Sequence, residues 1–184
     1  MFIQTEETPN PATLKFIPGR IVLPEGTRDF RTPADAKDSP LADRIFAVAG
    51  VSGVFLGHDF VTVTKERAEW PQLKPAVLGA IMEHYLSGAP ALVDGTREEA
   101  DDANFDEADS ETVAVIKELI ETRVRPAVAN DGGDITFQGF RDGVVYLHMR
   151  GACSGCPSST ATLKQGIENL LRHFVPDVVE VRPV

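Results

Sequence analysis

Two cysteines, Cys153 and Cys156, are the residues of this sequence whose type and spacing could do chemistry. The chain has 184 residues and no other cysteine, and both lie in the run Gly151-Ala-Cys-Ser-Gly-Cys-Pro157. Thiolates bind soft metals, and two cysteines separated by two residues in a tight turn can direct both sulfurs at one metal centre. Because Gly151 and Gly155 permit the backbone conformations of such a loop, we take Cys153 and Cys156 as candidate metal or cluster ligands.

A helix is predicted to begin directly after the second cysteine, at Pro157, because proline is favoured at the first helical position. The free N–H groups and the positive dipole end of this helix would then face the sulfurs. We expect such a helix end to favour the thiolate over the thiol, and to favour a negatively charged cluster held by thiolates.

The number of thiols limits the kind of site. A Cys₄ iron–sulfur or zinc site needs four thiolates, and this chain has two. The missing ligands come either from residues other than cysteine or from a second copy of the chain, related by the two-fold axis of the commonest oligomers. A site between two copies lies at a subunit interface near the surface. Such a position suits a metal cluster that must be released better than one that serves permanently in electron transfer.

The spacing of the cysteines alone leaves alternatives open. A C-x-x-C pair also fits redox dithiols and half-sites for zinc. In a thioredoxin-like protein the pair follows the first strand of a βαβ unit, whereas here it follows a predicted antiparallel hairpin. A thiol–disulfide oxidoreductase and a zinc-binding interaction module remain the two alternatives.

The elements that position the cysteines are predicted from the pattern after residue 109. A helix should start at Ser110, a good N-cap, and end or kink at Pro126. A β-hairpin follows, with apolar residues alternating on both sides of the turn Asp142-Gly143. The apolar face of the helix is marked by Val113, Ile116, Ile120 and Val124.

Two smaller features complete the second half of the chain. Asp131 and Asp134 flank a glycine pair, and we interpret them as turn formers rather than as metal ligands. Residues 178–181 are predicted to form a last short strand.

The first half of the chain has the pattern of a small mixed domain. Strands are predicted at 13–17 and 20–23, and a hairpin at 51–56 and 60–64. Helices are predicted at 41–48, where Ser39 and Pro40 are plausible first residues, and at 70–86. No group of residues here has the spacing of a catalytic site.

The charge distribution divides the chain. Residues 89–112 hold nine acidic residues and one basic residue, a net charge of −8 out of −10 for the chain. Such a segment cannot bury enough apolar surface to offset the conformational entropy that it would lose on folding. We therefore predict an α+β fold of two small domains, 1–88 and 110–184, joined by an acidic flexible linker at 89–109.

Three stretches resemble a known family. The runs Arg125-Pro-Ala-Val-Ala-Asn-Asp-Gly-Gly-Asp134 and Gly151-Ala-Cys-Ser-Gly-Cys-Pro-Ser-Ser159 resemble the C-terminal domain of the NifU family. The opening Thr5-Glu-Glu-Thr-Pro-Asn-Pro-Ala-Thr-Leu-Lys-Phe16 resembles the N-terminal domain of the Nfu-type members of that family. The matches occur in the expected order and span the chain outside the linker.

This resemblance implies an iron–sulfur cluster carrier or scaffold rather than an enzyme. It implies that Cys153 and Cys156 of two subunits bind one [4Fe–4S] cluster between them, with a [2Fe–2S] form as a competitor, in a cluster-loaded homodimer. The partners implied are apo iron–sulfur proteins that receive the cluster and upstream assembly proteins that supply it. The domain at 1–88 is then expected to recognise a partner.

Other classes are disfavoured by composition. With no basic stripe, nucleic-acid binding is not expected, and no stretch approaches the roughly 20 apolar residues of a membrane helix. The N-terminal residues lack the pattern of a secretory signal or of an Arg-rich transit peptide. The default expectation is a cytoplasmic, bacterial-type protein, with a mature mitochondrial form as the alternative.

Overall fold

A computed structural model describes residues 1–93, 104–154 and 157–184, except for the side chains of residues 157–159. The chain divides into two compact units, Met1–Glu98 and Glu99–Val184. Each unit combines helices with a sheet of its own. The prediction of the α+β class is therefore confirmed.

The first unit is built on a five-stranded antiparallel sheet. The strands are β1 (Gln4–Glu7), β2 (Thr13–Ile17), β3 (Arg28–Phe30), β4 (Val51–Leu56) and β5 (Val61–Lys65), in the order β1-β2-β5-β4-β3. A 3₁₀ helix at Pro33–Asp38, helix α1 (Pro40–Phe46) and helix α2 (Trp70–Ser87) complete the unit. Sheet and helices contribute buried apolar side chains to one core.

Most elements of the first unit match their predicted positions, and two departures have physical reasons. Ser39 caps α1 as expected, since its hydroxyl accepts a hydrogen bond from the Ala42 N–H at 3.1 Å. The strand predicted at 20–23 is wrong, because Val22 and Leu23 both donate their N–H groups to the carbonyl of His58 and form a loop. Strand β1 was not predicted, because an edge strand of polar residues has no apolar alternation to signal it.

Within the described residues, one buried ionisable side chain of the first unit has no hydrogen-bond partner for its ring nitrogens. His84 on α2 is fully buried, and among the described residues neither ring nitrogen meets a hydrogen-bond partner. Its ring lies edge-on to Tyr85, with centroids 5.3 Å apart. Burial, and then the charge of Arg44, lowers the pKa of His84 below its ordinary value.

The second unit has a four-stranded mixed sheet. Its strands are β6 (Asn104–Phe105), β7 (Gly133–Arg141), β8 (Val144–Gly151) and β9 (Glu180–Pro183), in the order β6-β7-β8-β9. Strands β7 and β8 form the predicted hairpin, and Asp142 and Gly143 at its turn have φ values of 53° and 79°. These positive φ values are those of the tight two-residue hairpin turn expected for Asp-Gly. The outer strands β6 and β9 pair in parallel with their neighbours.

The helices of the second unit are α3 (Ser110–Leu119), α4 (Arg125–Asn130) and α5 (Pro157–Phe174). A π-helical turn at Ile120–Val124 joins α3 to α4. Pro126 lies in the first turn of α4, and the widened π-helical turn ends two residues before this residue that lacks an N–H. The predicted apolar face is buried at Val113, Ile116, Ile120 and Val124.

Both ends of the predicted linker are ordered parts of their units. At its start, Ala91 and Leu92 pack against the first core, and the Val93 N–H donates to the carbonyl of Asp38. At its end, Phe105 pairs with Phe140 in β7, and its ring lies 6.5 Å from that of Phe137. Residues 94–103, the centre of the predicted flexible segment, lie outside the described residues. Within those residues, no helix has the length and apolarity needed to cross a membrane.

Candidate metal-binding site

Cys153 lies in a turn that follows the last residue of β8. Gly151 has a φ of 64°, and its carbonyl accepts hydrogen bonds from the N–H of Ser154 at 3.1 Å and from the Ser154 hydroxyl at 3.0 Å. This tight turn leaves the side chain of Cys153 only 6% exposed. Gly155 and Cys156 lie outside the described residues, so the placement of the second predicted ligand stays a prediction.

Two glycines around the start of β7 contact the turn that contains Cys153. Gly132 has a φ of 82°, and its carbonyl accepts a hydrogen bond from the Ala152 N–H at 3.2 Å. Gly133 pairs with Gly151 across the hairpin. A Cβ atom at Gly133 would lie 2.7 Å from Cys153 Sγ and 2.7 Å from the carbonyl oxygen of Arg150. The space beside Cys153 therefore exists because residue 133 has no side chain.

A buried ion pair braces the strand that carries these glycines. Arg125 donates two parallel hydrogen bonds to Asp134, Nε to Oδ1 at 2.8 Å and Nη2 to Oδ2 at 2.9 Å. Asp134 is 3% exposed and also accepts from the Ile135 N–H at 2.8 Å, while Arg125 contacts Glu121 at 2.7 Å. The hydrogen bonds with Asp134, more than any other contact, raise the pKa of Arg125 above its ordinary value.

The expectation for the two aspartates is therefore half wrong. Asp131 follows the last residue of α4 and is exposed, as suits a residue at a turn. Asp134 is a residue of β7 whose carboxylate binds Arg125, so it is a buried structural anion rather than a turn former. Bidentate pairing with arginine accounts for its burial, since a buried charge needs a hydrogen-bonded partner.

The thiol of Cys153 holds its proton more strongly than expected. Burial first, and then the negative charges of Asp131 and Asp134, raises the pKa of Cys153 to about 12. Burial and the two aspartates therefore favour the thiol of Cys153 in the metal-free chain, and the predicted contribution of the helix end stays a prediction. A metal that binds this sulfur must displace the proton, so binding releases a proton to solvent.

The helix after the cysteines is where it was predicted, and it contacts Cys153. Helix α5 begins at Pro157, and the hydroxyl of Thr160 donates a hydrogen bond to the carbonyl of Cys153 at 3.0 Å. Cys153 is thus fixed on two sides, by the glycine-lined hairpin end and by the first turns of α5. A sulfur held in this way is a candidate ligand for a soft metal centre.

Comparison with known proteins places the chain in a family. The family model described as "Scaffold protein Nfu/NifU N terminal" matches residues 3–88, and the model described as "NifU-like domain" matches residues 116–182. The human mitochondrial NFU1 iron–sulfur cluster scaffold homolog is 50% identical over 186 residues, which cover all of this chain and 72% of the human protein. The chain belongs to the Nfu/NifU-like family.

Other members are equally similar to this Nfu/NifU-like chain. The mitochondrial NifU-like protein 4 of Arabidopsis thaliana is 54% identical over 97% of the chain, which spans 64% of the plant protein. The mitochondrial NFU1 homolog of Drosophila erecta is 52% identical over the whole chain and 65% of the fly protein. The relatives are named mitochondrial, so the default expectation of a cytoplasmic, bacterial-type protein is wrong.

Several residues that shape the site in this Nfu/NifU-like chain were not found by sequence reasoning. Gly133 was interpreted as a turn residue, although its role is to leave room for Cys153. The pairing of Arg125 with Asp134 was missed, because nine positions along the chain separate them and no local pattern joins them. Thr160 carried no signal, since a threonine in the first turns of a helix is unremarkable.

Proposed function

We propose that this chain carries an iron–sulfur cluster as cargo and passes it to apo-proteins. Cys153 and Cys156 of two copies would supply the four thiolates of one [4Fe–4S] cluster, with a [2Fe–2S] form as the competing species. An acceptor's thiolates would then capture the cluster by ligand exchange. The observation that carries this proposal is the cysteine count, because two thiols in the whole chain are half of what such a cluster needs.

The surroundings of Cys153 support this role. The hydrogen-bonded turn after β8 positions Cys153 in the metal-free chain, and its sulfur packs closely against Gly133. Preformed ligands lose less conformational freedom on binding, and this favours cluster capture. The relatives named iron–sulfur cluster scaffolds support the same class of cargo, and their names favour a mitochondrial site of action.

The burial of Cys153 weighs against this residue as the nucleophile of a thiol–disulfide oxidoreductase. A catalytic dithiol needs an accessible thiolate of low pKa. Cys153 is 6% exposed and its pKa is raised to about 12, so it does not meet this condition in the metal-free chain. A metal centre does not need a thiolate beforehand, because it displaces the thiol proton as it binds.

The two units would then have different functions. We infer that the domain at 110–184 binds the cluster, and that the domain at 1–88 recognises the donor or acceptor. A tether between them would raise the local concentration of that partner at the cluster. A fragment of residues 99–184, which keeps strand β6, should therefore still load a cluster but transfer it more slowly to acceptors that bind the first domain.

Serine replacement of each cysteine tests the proposal. After anaerobic reconstitution, Cys153→Ser and Cys156→Ser should each lose the visible absorption of the cluster and the cluster-dependent dimer. Far-ultraviolet circular dichroism of the metal-free variants checks that the fold is retained. A full cluster in either variant would show that the ligand set is wrong. Bound zinc in place of iron would instead favour a zinc-binding interaction module.

A further inference from the structure

The hydroxyl of Thr160 makes an unusual contact for a residue in a helix. Threonine hydroxyls within helices commonly bond the carbonyl four residues earlier, as Thr122 does with Glu118 at 2.7 Å. Thr160 donates to the carbonyl of Cys153, seven residues earlier and outside the helix, at 3.0 Å. Its hydroxyl therefore links α5 to the cysteine turn.

This bond joins the turn that contains Cys153 to helix α5. On the other side of Cys153, the Ala152 N–H is bonded to Gly132 and the Ser154 N–H to Gly151. These contacts fix the turn relative to the hairpin, but neither fixes it relative to α5. Among the described residues, the Thr160 hydroxyl forms the hydrogen bond that joins the Cys153 backbone to the helix.

We propose that Thr160 is a positioning residue for the cluster, acting through the backbone of Cys153. This inference rests on the proposed function of Cys153 as a cluster ligand. Groups that orient a metal ligand without touching the metal commonly change affinity by an order of magnitude or more. Here the group is a single neutral hydrogen bond at a half-buried position, so its loss should speed cluster release by roughly two- to tenfold.

Two substitutions at Thr160 separate the hydroxyl from the rest of the side chain. Thr160→Val keeps the shape and removes the hydrogen-bond donor, whereas Thr160→Ser keeps the donor and removes a methyl group. Thr122→Val is the matched control, because it removes a hydroxyl-to-carbonyl bond of the same kind from the same unit. All variants are made in the full chain.

The readout is the rate at which the anaerobically loaded protein loses its visible absorption to an excess of iron chelator. We expect Thr160→Val to lose cluster roughly two- to tenfold faster than the wild type, and Thr160→Ser and Thr122→Val to match it. A wild-type rate for Thr160→Val would overturn the proposal. Equal acceleration in the valine and serine variants would also overturn it, since the effect would then come from packing.

A second readout does not depend on the cluster. In metal-free protein that carries Cys156→Ser, the alkylation rate of Cys153 reports how often the buried thiol becomes accessible. Thr160→Val should raise this rate by roughly two- to tenfold, and Thr160→Ser should not. If the wild type fails to load any cluster but the alkylation rates differ as expected, the proposed function fails while the positioning role stands. Equal alkylation rates would refute the positioning role itself.

Discussion

Replacing Gly133 by alanine would place a methyl group in steric conflict with the sulfur of Cys153. The new Cβ would be 2.7 Å from Cys153 Sγ, 2.7 Å from the Arg150 carbonyl oxygen and 3.2 Å from the Cys153 nitrogen. Ordinary contacts between such atoms are about 3.5–4.0 Å, so the turn must move by about 1 Å. Gly133 does not have a positive φ, so the backbone itself tolerates alanine.

The expected effect follows from two opposing terms. Overpacking of a close-packed site costs about 1–3 kcal/mol. The smaller entropy of the unfolded alanine chain offsets about 0.4–1 kcal/mol of this. We expect Gly133→Ala to destabilise the second unit by about 1–2 kcal/mol. The same displacement should also impair cluster loading, because metal–ligand distances tolerate only about 0.2 Å of error.

Urea denaturation of the metal-free chain and the iron content after reconstitution measure the two effects. Gly166→Ala is the matched control, since a Cβ there meets no atom within 4 Å and alanine is the better helix former in α5. A second comparison repeats Gly133→Ala in a Cys153→Ala background, where the penalty should shrink. Normal stability and normal iron content in Gly133→Ala would refute the close-packing account of this glycine.

Two further predictions concern buried ionisable side chains. Arg125→Met should destabilise the second unit by about 3 kcal/mol in urea denaturation, because it removes the guanidinium that neutralises the buried carboxylate of Asp134; an unchanged midpoint would contradict this. His84 has a lowered pKa in the folded chain, so below about pH 6.5 the unfolded chain takes up a proton that the folded chain does not. The stability of the first unit should therefore fall from pH 7 to pH 5 in the wild type and fall less in His84→Phe, as measured by thermal unfolding at each pH; parallel pH profiles would count against it.

Local sequence patterns were sufficient to predict the hairpin and the helix on either side of the cysteine turn. The apolar alternation around Asp142-Gly143 predicted the hairpin, and Pro157 predicted the start of α5, because both signals arise from neighbouring residues. Strand β1 was invisible, since its residues are polar and its place depends on pairing with β2. Phe105, the one large apolar residue of the acidic segment, anchors β6 beside β7. Charge density alone could not locate the end of that segment.

The candidate ligands could be named from the sequence, but the surroundings of Cys153 could not. Cys153 follows from residue type and spacing, whereas the roles of Gly133 and Asp134 depend on contacts made after the chain has folded. The state of the thiol also could not be predicted from the sequence. Helix dipole rules consider one element, while the pKa of Cys153 depends on its burial and on two aspartates from another part of the chain.

The central claim is that two copies of the chain share one cluster. Native mass spectrometry of the anaerobically reconstituted full chain tests it directly, because the mass gives the number of chains and of iron and sulfide ions in one particle. We expect two chains with four irons and four sulfides, and a return to single chains when a chelator removes the iron. A single chain that carries the complete cluster would contradict the account.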